Sequence, residues 1–144
     1  MTTIVADKTR LVSDSRVSGN NDIMYESPKL FRVKGVIIGC AGDNESIEAF
    51  IKWYGSKKKK PKFKEDSFDA LVVTSNGVYT YDETCARDLV LGPWHAIGSG
   101  GGAALGALHM GATLEEAVKV ACKVDKYSGE PLQILTLLGS DALV

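Results

Sequence analysis

Short apolar stretches separated by polar turns recur along most of the chain, which is a pattern typical of β-strands. Residues 36–40 are apolar throughout, as expected of a strand that is covered on both faces. Asn76-Gly77 predicts a hairpin turn between strands at 69–75 and 78–81. Residues 18–28 are mostly polar and predict a loop. Further strands are predicted at 2–6, 11–16, 29–33, 88–91, 94–98 and 132–138.

Three segments have the residue pattern of helices. The first is capped by Asp43 or Asn44, and one apolar face follows at helical spacing. The residues of that face are Ile47, Phe50, Ile51 and Tyr54. The second is rich in small residues and runs to Met110. The third opens with the capping box Thr113-Leu114-Glu115-Glu116. Its predicted buried face consists of Leu114, Ala117, Ala121 and Val124.

The predicted elements follow the order strands, helix, strands, two helices, strand. Strands that are joined in hairpins and segregated from helices favour an α+β fold, with two sheets face to face and helices outside. At 144 residues, without repeats or a low-complexity linker, the chain is predicted to form a single domain over residues 1–144.

Composition narrows the class of protein. The sequence is 44% hydrophobic and 24% charged with a net charge of −1, which is ordinary for a globular protein and does not indicate nucleic-acid binding. The lysine-rich residues 57–66 can bind polyanions, although a solvated loop is the more common explanation of so short a run. The absence of a bilayer-length apolar run and of a signal-peptide pattern predicts a cytoplasmic protein without membrane contact.

Several familiar kinds of site can be set aside. Three cysteines without C-x-x-C spacing predict neither a zinc site nor a disulfide framework. The segment Gly98-x-Gly100-x-x-Ala103 matches a dinucleotide-binding motif, but the helix after it leads into another helix rather than a parallel strand. His95 and His109 lie in a predicted strand and helix without a G-x-S-x-G nucleophile motif, and packing explains both. We therefore expect neither a cofactor nor a metal.

The first residues suggest a different chemistry. If the initiator Met1 is removed, Thr2 carries a hydroxyl and a free α-amine on the same residue. Such an amine, with an ordinary pKa of about 7.7–8.0, can serve as the base that activates the hydroxyl. Most chains that begin Met-Thr do not use this pair, so other residues must support the hypothesis. Polar residues and glycines at strand ends and helix junctions that could gather near Thr2 are Asp14, Lys29, Gly42, Ser99, Asp125 and Ser128.

Six short motifs connect these residues in chain order. They are Met1-Thr2-Thr3-Ile4-Val5, Ser13-Asp14-Ser15-Arg16, Pro28-Lys29-Leu30, Gly39-Cys40-Ala41-Gly42, Ala96-Ile97-Gly98-Ser99-Gly100-Gly101 and Asp125-Lys126-Tyr127-Ser128-Gly129. In this order the motifs resemble those of the proteasome β-subunit family of N-terminal nucleophile hydrolases, in particular the bacterial HslV-type peptidase. Each motif alone is weak, but their shared order covers nearly the whole chain.

The resemblance implies a four-layer αββα sandwich and a threonine peptidase. Thr2 Oγ would attack the scissile carbonyl carbon while the α-amine of the same residue accepts the proton. Lys29 would lower the pKa values of that amine and hydroxyl, and Asp14 would keep Lys29 charged and oriented. The Gly42 N–H would donate to the oxyanion. The residues that would position the terminal amine are Ser99, Asp125 and Ser128.

The resemblance also implies partners, namely peptide or unfolded-protein substrates, further copies of the chain in stacked rings and an ATP-dependent unfoldase. Relatives have a longer two-helix excursion where this chain has one helix and the basic loop, so we expect a shortened first helical layer. Two alternatives stay open. One is a non-catalytic assembly protein on the same fold that retains Met1, and the other is a small-molecule amidase of the same class.

Overall fold

The computed structural model describes residues 2–19, 21, 23–65, 67–138 and 142–143. The strands in these ranges are β1 (Ile4–Ala6), β2 (Arg10–Ser13), β3 (Arg16–Ser18), β4 (Met24–Glu26), β5 (Leu30–Val33), β6 (Val36–Ala41), β7 (Asp69–Thr74), β8 (Gly77–Tyr81), β9 (Arg87–Leu89), β10 (His95–Ile97), β11 (Gln133–Thr136) and β12 (Ala142–Leu143). The helices are α1 (Asn44–Trp53), α2 (Gly101–His109) and α3 (Leu114–Val124). Two antiparallel sheets have the orders β10-β1-β2-β11-β12 and β5-β6-β7-β8-β9, and β3 pairs with β4 apart from both.

The two larger sheets pack face to face between layers of helix. Alternate residues of each strand point to opposite faces, so β1 places Ile4 and Ala6 in the core between the sheets and Val5 against α2 and α3. In β6, Ile37 faces the same inter-sheet core while Ile38 faces α1. The predicted α+β class and four-layer αββα sandwich are confirmed. Along the described residues the first helical layer consists of α1, in agreement with the predicted shortening.

Gly39 permits the close approach of the two sheets at the point where the candidate site forms. A Cβ at this position would lie 2.7 Å from Ile4 Cγ2 and 3.1 Å from Leu30 Cδ2. Gly39 pairs with Leu30 across β5 and β6, and the next residue, Cys40, donates its N–H to Lys29 O at 3.0 Å. The first residues of β1 and the start of β5 are therefore packed close together.

The helix caps form as predicted, but one predicted core residue is wrong. Asp43 caps α1 by accepting a hydrogen bond from the Ser46 N–H, and the capping box of α3 is complete. In α3, Val118 is buried, whereas Val124 is 70% exposed. The apolar stripe that begins at Leu114 covers i, i+3, i+4 and i+7, so it ends at Ala121, one turn before Val124.

The predicted loop at 18–28 is also partly wrong, because β3 and β4 form a hairpin there with Val17 opposite Tyr25. Every residue of β4 is exposed. The pattern of apolar and polar positions marks buried strands, so it does not reveal this one. The turn predicted at Asn76-Gly77 lies one residue earlier, at Ser75-Asn76, where Thr74 Oγ1 accepts hydrogen bonds from the N–H groups of Asn76 and Gly77. None of the helices in the described ranges has the length and apolarity needed to cross a membrane.

Candidate active site

Thr2 lies two residues before β1, with 6% of its surface exposed, in the wall of a cleft of about 720 Å³. Two glycines at the start of α2 hold its peptide group. Gly100 donates its N–H to Thr2 O at 3.2 Å. Gly98 has φ +92°, and a Cβ there would collide with Thr2 O, so only glycine fits without strain. Met1 lies outside the described residues, so its predicted removal stays a prediction.

Asp14, at the end of β2, is the centre of the buried polar groups next to Thr2. Its carboxylate is fully buried and makes an ion pair with Lys29, whose Nζ lies 2.7 Å from Asp14 Oδ1. The same oxygen accepts the Thr3 N–H at 3.1 Å. The other oxygen accepts the N–H groups of Arg16 at 3.1 Å and of Gly129 at 3.0 Å. These four donors fix the carboxylate beside the peptide that follows Thr2.

Lys29 enters this cluster from the residue before β5 and is 2% exposed. Its Nζ also donates to Arg16 O at 2.6 Å, so the ammonium is held between the carboxylate and a backbone carbonyl. Burial lowers the pKa of Lys29, and the charge and hydrogen bond of Asp14 oppose that shift. Because Lys29 and the Thr3 N–H share one oxygen of Asp14, the ammonium lies close to the first residues of the chain.

A second polar cluster surrounds Asp125 at the end of α3. Its Oδ2 accepts the hydroxyls of Ser99 at 2.6 Å and Ser128 at 2.7 Å, and its Oδ1 accepts the Tyr127 N–H at 3.2 Å. Burial favours the neutral acid, but these hydrogen bonds outweigh it and hold the pKa of Asp125 below its usual value. Ser128 Oγ lies 2.7 Å from Thr3 Oγ1, so this cluster also reaches the first residues.

Gly42 follows β6 and lines the same cleft as Thr2. A Cβ on Gly42 would lie 3.0 Å from Ser67 O and 3.1 Å from Phe68 Cδ1, so a larger residue would crowd the wall of the cleft. Every residue named from the sequence as a candidate therefore lies in the cleft wall or in one of the two polar clusters next to it. Thr2, Gly42 and Ser99 are in the wall, while Asp14, Lys29, Asp125 and Ser128 are in the clusters.

Sequence reasoning missed two contributors to this site. Thr3 joins the clusters, since its N–H binds Asp14 and its hydroxyl contacts Ser128. The only available signal was its place beside Thr2. Tyr25, from the hairpin that was predicted as a loop, lines the cleft. The glycines that resembled a dinucleotide motif are explained instead by close contact, because a Cβ at Gly100 would collide with Thr3 Oγ1.

Other reactive side chains do not form a competing site in the described part of the chain. In those ranges no three His, Cys, Asp or Glu side chains are grouped so that they could hold a metal ion. Cys40 and Cys85 are buried and Cys122 is half-buried. Burial raises the pKa of Cys122 to about 11, and it also raises the pKa values of Cys40 and Cys85, which disfavours the thiolate that a nucleophile requires.

No protein-family model and no curated protein sequence matches the chain. Solved structures match over nearly its whole length. HslV from Trypanosoma brucei is 19% identical with a TM-score of 0.72, over 93% of this chain and 98% of that one. Thiobacillus denitrificans BPH in complex with epoxomicin is 16% identical with a TM-score of 0.69, over 96% and 99%. An Anbu (Gly-1) mutant from Hyphomicrobium sp. strain MC1 is 11% identical with a TM-score of 0.69, over 94% and 81%. The chain therefore has the proteasome-type fold that the sequence motifs suggested, the fold of HslV.

Proposed function

We propose that residues 1–144 form one catalytic domain, the subunit of a threonine-type endopeptidase with Thr2 as its N-terminal nucleophile. The observation that carries the proposal is the buried Lys29–Asp14 ion pair, which is bound to the peptide after Thr2. Burying two charges is expensive and seldom stabilises a fold relative to apolar packing. A buried pair beside a candidate nucleophile is more readily explained by chemistry than by stability.

The proposed reaction begins with removal of Met1, which frees the α-amine of Thr2. That amine takes the hydroxyl proton as Thr2 Oγ attacks the carbonyl carbon of the substrate peptide. The C–N bond then breaks, the proton passes to the leaving amine, and an ester joins the acyl part of the substrate to Oγ. Water attacks this ester with the same amine as base, which releases the carboxylic acid and restores the hydroxyl. Atoms and protons balance without a cofactor.

The surrounding groups have separate roles in this proposal. The Lys29 ammonium disfavours a second positive charge nearby, so it lowers the pKa of the Thr2 amine and keeps a fraction of that amine neutral. Asp14 holds Lys29 in place through the 2.7 Å contact. The Gly42 N–H donates to the oxyanion that develops in the cleft, and removal of such a donor typically costs about 10²–10³ in rate. The groups that orient the amine are Ser99, Asp125 and Ser128.

Three measurements test the proposal. Intact mass should show loss of Met1. A peptide epoxyketone, which reacts with a hydroxyl and an amine on the same residue, should add once per chain. A fluorogenic peptide should be cleaved by the wild type and by Thr84→Ala, which changes an exposed threonine in the turn between β8 and β9, but not by Thr2→Ala. Equal cleavage by wild type and Thr2→Ala would exclude the proposed nucleophile.

The same measurements separate the alternatives. Retained Met1 together with an inert chain would favour a non-catalytic assembly protein. Cleavage of simple acyl amides but not of peptides would favour a small-molecule amidase.

The peptidase proposal extends to assembly. We propose a cytoplasmic homo-oligomer that encloses the clefts and receives unfolded polypeptide from an ATP-dependent unfoldase. The likeness of fold to HslV supports this extension. Light scattering on the eluting protein should give a mass several times the 15.4 kDa of the chain. A monomer that cleaves peptides at full rate would contradict the assembly while leaving the chemistry at Thr2 intact.

A further inference from the structure

Residues 57–64, which we term the lysine segment, carry six lysines and no acidic residue. Six of the 17 basic residues of the chain are thus concentrated in eight positions, although the net charge is −1. All six lysine side chains are exposed, and the segment contains neither helix nor strand. The reaction proposed for Thr2 gives these charges no role.

Contacts to α1 and to the two residues just before β7 hold the lysine segment at both ends. Trp53 Nε1 donates to Lys58 O at 3.2 Å. The Phe63 ring packs on Phe68 with ring centroids 4.9 Å apart. Ser67 donates its hydroxyl to Lys64 O at 2.6 Å. The backbone is therefore anchored while the ammonium groups face solvent. Binding of a ligand does not require the loop to become ordered, which would reduce the affinity.

The segment ends at the rim of the cleft that contains Thr2. Ser67 and Phe68, which anchor its last residues, both line that cleft. Asp43 lines it as well, and its pKa is lowered by the N–H and then the hydroxyl of Ser46, with a further contribution from Lys64. Lys64 is therefore close enough to Asp43 to interact with it electrically.

We propose that the lysine segment binds an acidic stretch of the polypeptide substrate, at a distance from the scissile peptide bond that Thr2 would attack. This role as a substrate contact rests on the proposed peptidase function. Among the described residues, the cleft is lined by the acidic residues Asp43 and Asp69 and by no lysine or arginine. Acidic residues of a substrate are therefore disfavoured inside the cleft and favoured at the lysine segment. Polypeptides with an acidic stretch beside a neutral or basic cleavage site are the matching substrates.

A nucleic acid fits these observations less well. Single strands are bound by basic grooves in which aromatic rings stack on the bases. Here Phe63 packs on Phe68, and Trp53 packs against Phe50 and Tyr81, so the aromatic rings of this region are already occupied. The carboxylates of the neighbouring cleft would also repel a phosphate backbone.

Direct binding tests the inference without requiring catalysis. A fluorescein-labelled peptide of twelve residues, six of them glutamate, is titrated with wild type, with K57Q/K58Q/K59Q and with K8Q/K119Q/K123Q. The control removes three exposed lysines elsewhere, so both variants have the same net charge. We expect K57Q/K58Q/K59Q to bind about tenfold more weakly, because it loses the combined contribution of three exposed ion pairs. The control should change the affinity less than about twofold. Equal losses in both variants would mean that net charge alone is responsible and would overturn the inference.

Hydrolysis separates this inference from the proposed function. Two fluorogenic peptides share a cleavage site, and one carries a glutamate-rich extension. The K57Q/K58Q/K59Q variant should lose about tenfold in kcat/KM on the extended peptide and nothing on the short one. Equal rates on both peptides in the wild type would overturn the inference while the peptidase stands. Cleavage of neither peptide would count against the peptidase, and the binding titration would still decide the role of the segment. Tighter binding of a twelve-nucleotide RNA than of the glutamate-rich peptide would also overturn the inference.

Discussion

Asp14 should be more important to stability than Lys29, although the two form one ion pair. Both carboxylate oxygens are buried and receive four donors, three of which are backbone N–H groups. Asp14→Ala removes the acceptor from all four donors. Lys29→Met, which fills a similar volume, leaves the carboxylate with its three N–H donors.

The magnitudes follow from these contacts. Removal of one partner of a buried ion pair costs about 3–5 kcal/mol, and each buried donor left without an acceptor costs about 1–3 kcal/mol. Asp14→Ala combines both effects, so we expect a loss of at least about 5 kcal/mol. Lys29→Met should cost about 3 kcal/mol. Since a domain is stable by about 5–15 kcal/mol in total, the Asp14→Ala protein should be unfolded or nearly so.

Urea unfolding followed by far-ultraviolet circular dichroism measures both losses by linear extrapolation. The matched controls are Glu48→Ala and Lys52→Met, which break an exposed pair on α1 whose side chains are 70% and 76% exposed. Each control should cost less than about 1 kcal/mol. If Asp14→Ala is no more destabilising than Lys29→Met, the carboxylate is not the centre of the cluster and the reasoning is refuted.

Three further predictions concern other positions. Gly98→Ala places a Cβ against Thr2 O at φ +92°, so it should lower the free energy of unfolding by at least about 2 kcal/mol. At Gly102 a Cβ meets nothing within 4 Å, so Gly102→Ala should raise that free energy by about 0.5–1 kcal/mol. Thermal unfolding measures both changes. The ionised form of Asp125 stabilises the fold above its ordinary pKa of about 3.9, and that stability is lost as the pH falls through its lower folded pKa. The unfolding free energies of wild type and Asp125→Asn should therefore differ most at neutral pH and converge below about pH 4, and a gap independent of pH would contradict the assignment. Thr113→Ala removes the N-cap of α3 and should lower the free energy of unfolding by about 1 kcal/mol in the same assay. An unchanged free energy of unfolding would contradict a stabilising role for this cap.

Much of the layered fold could be predicted from residue type alone. The apolar run that became β6 and the capping box of α3 both appear where expected, since burial and local hydrogen bonding leave direct marks on residue type. The β3–β4 hairpin could not be predicted in this way. Every β4 residue is exposed, and its pairing depends on backbone hydrogen bonds that any residue type can make.

The candidate site was predictable as a set of residues but not as a geometry. The motif order named Asp14 and Lys29, whereas their 2.7 Å contact depends on how the two sheets approach at Gly39. Thr3 was not predicted as a site residue, because a threonine in a strand is equally suited to solvent or core. Only the assembled structure shows its N–H on Asp14 and its hydroxyl on Ser128.

The distribution of buried polar groups supports a functional rather than a stabilising origin for this cluster. Among the described residues, the buried polar or charged ones are Thr2, Thr3, Ser13, Asp14, Ser15, Lys29 and Ser128. All of them lie at or next to one end of β1 and β2, and no buried side-chain nitrogen or oxygen in the described ranges lacks a hydrogen-bond partner. Apolar residues fill the corresponding positions elsewhere between and outside the sheets. A fold under selection for stability alone has no reason to collect its buried polar residues at one end, whereas a nucleophile at Thr2 that needs fixed charges and hydrogen bonds does.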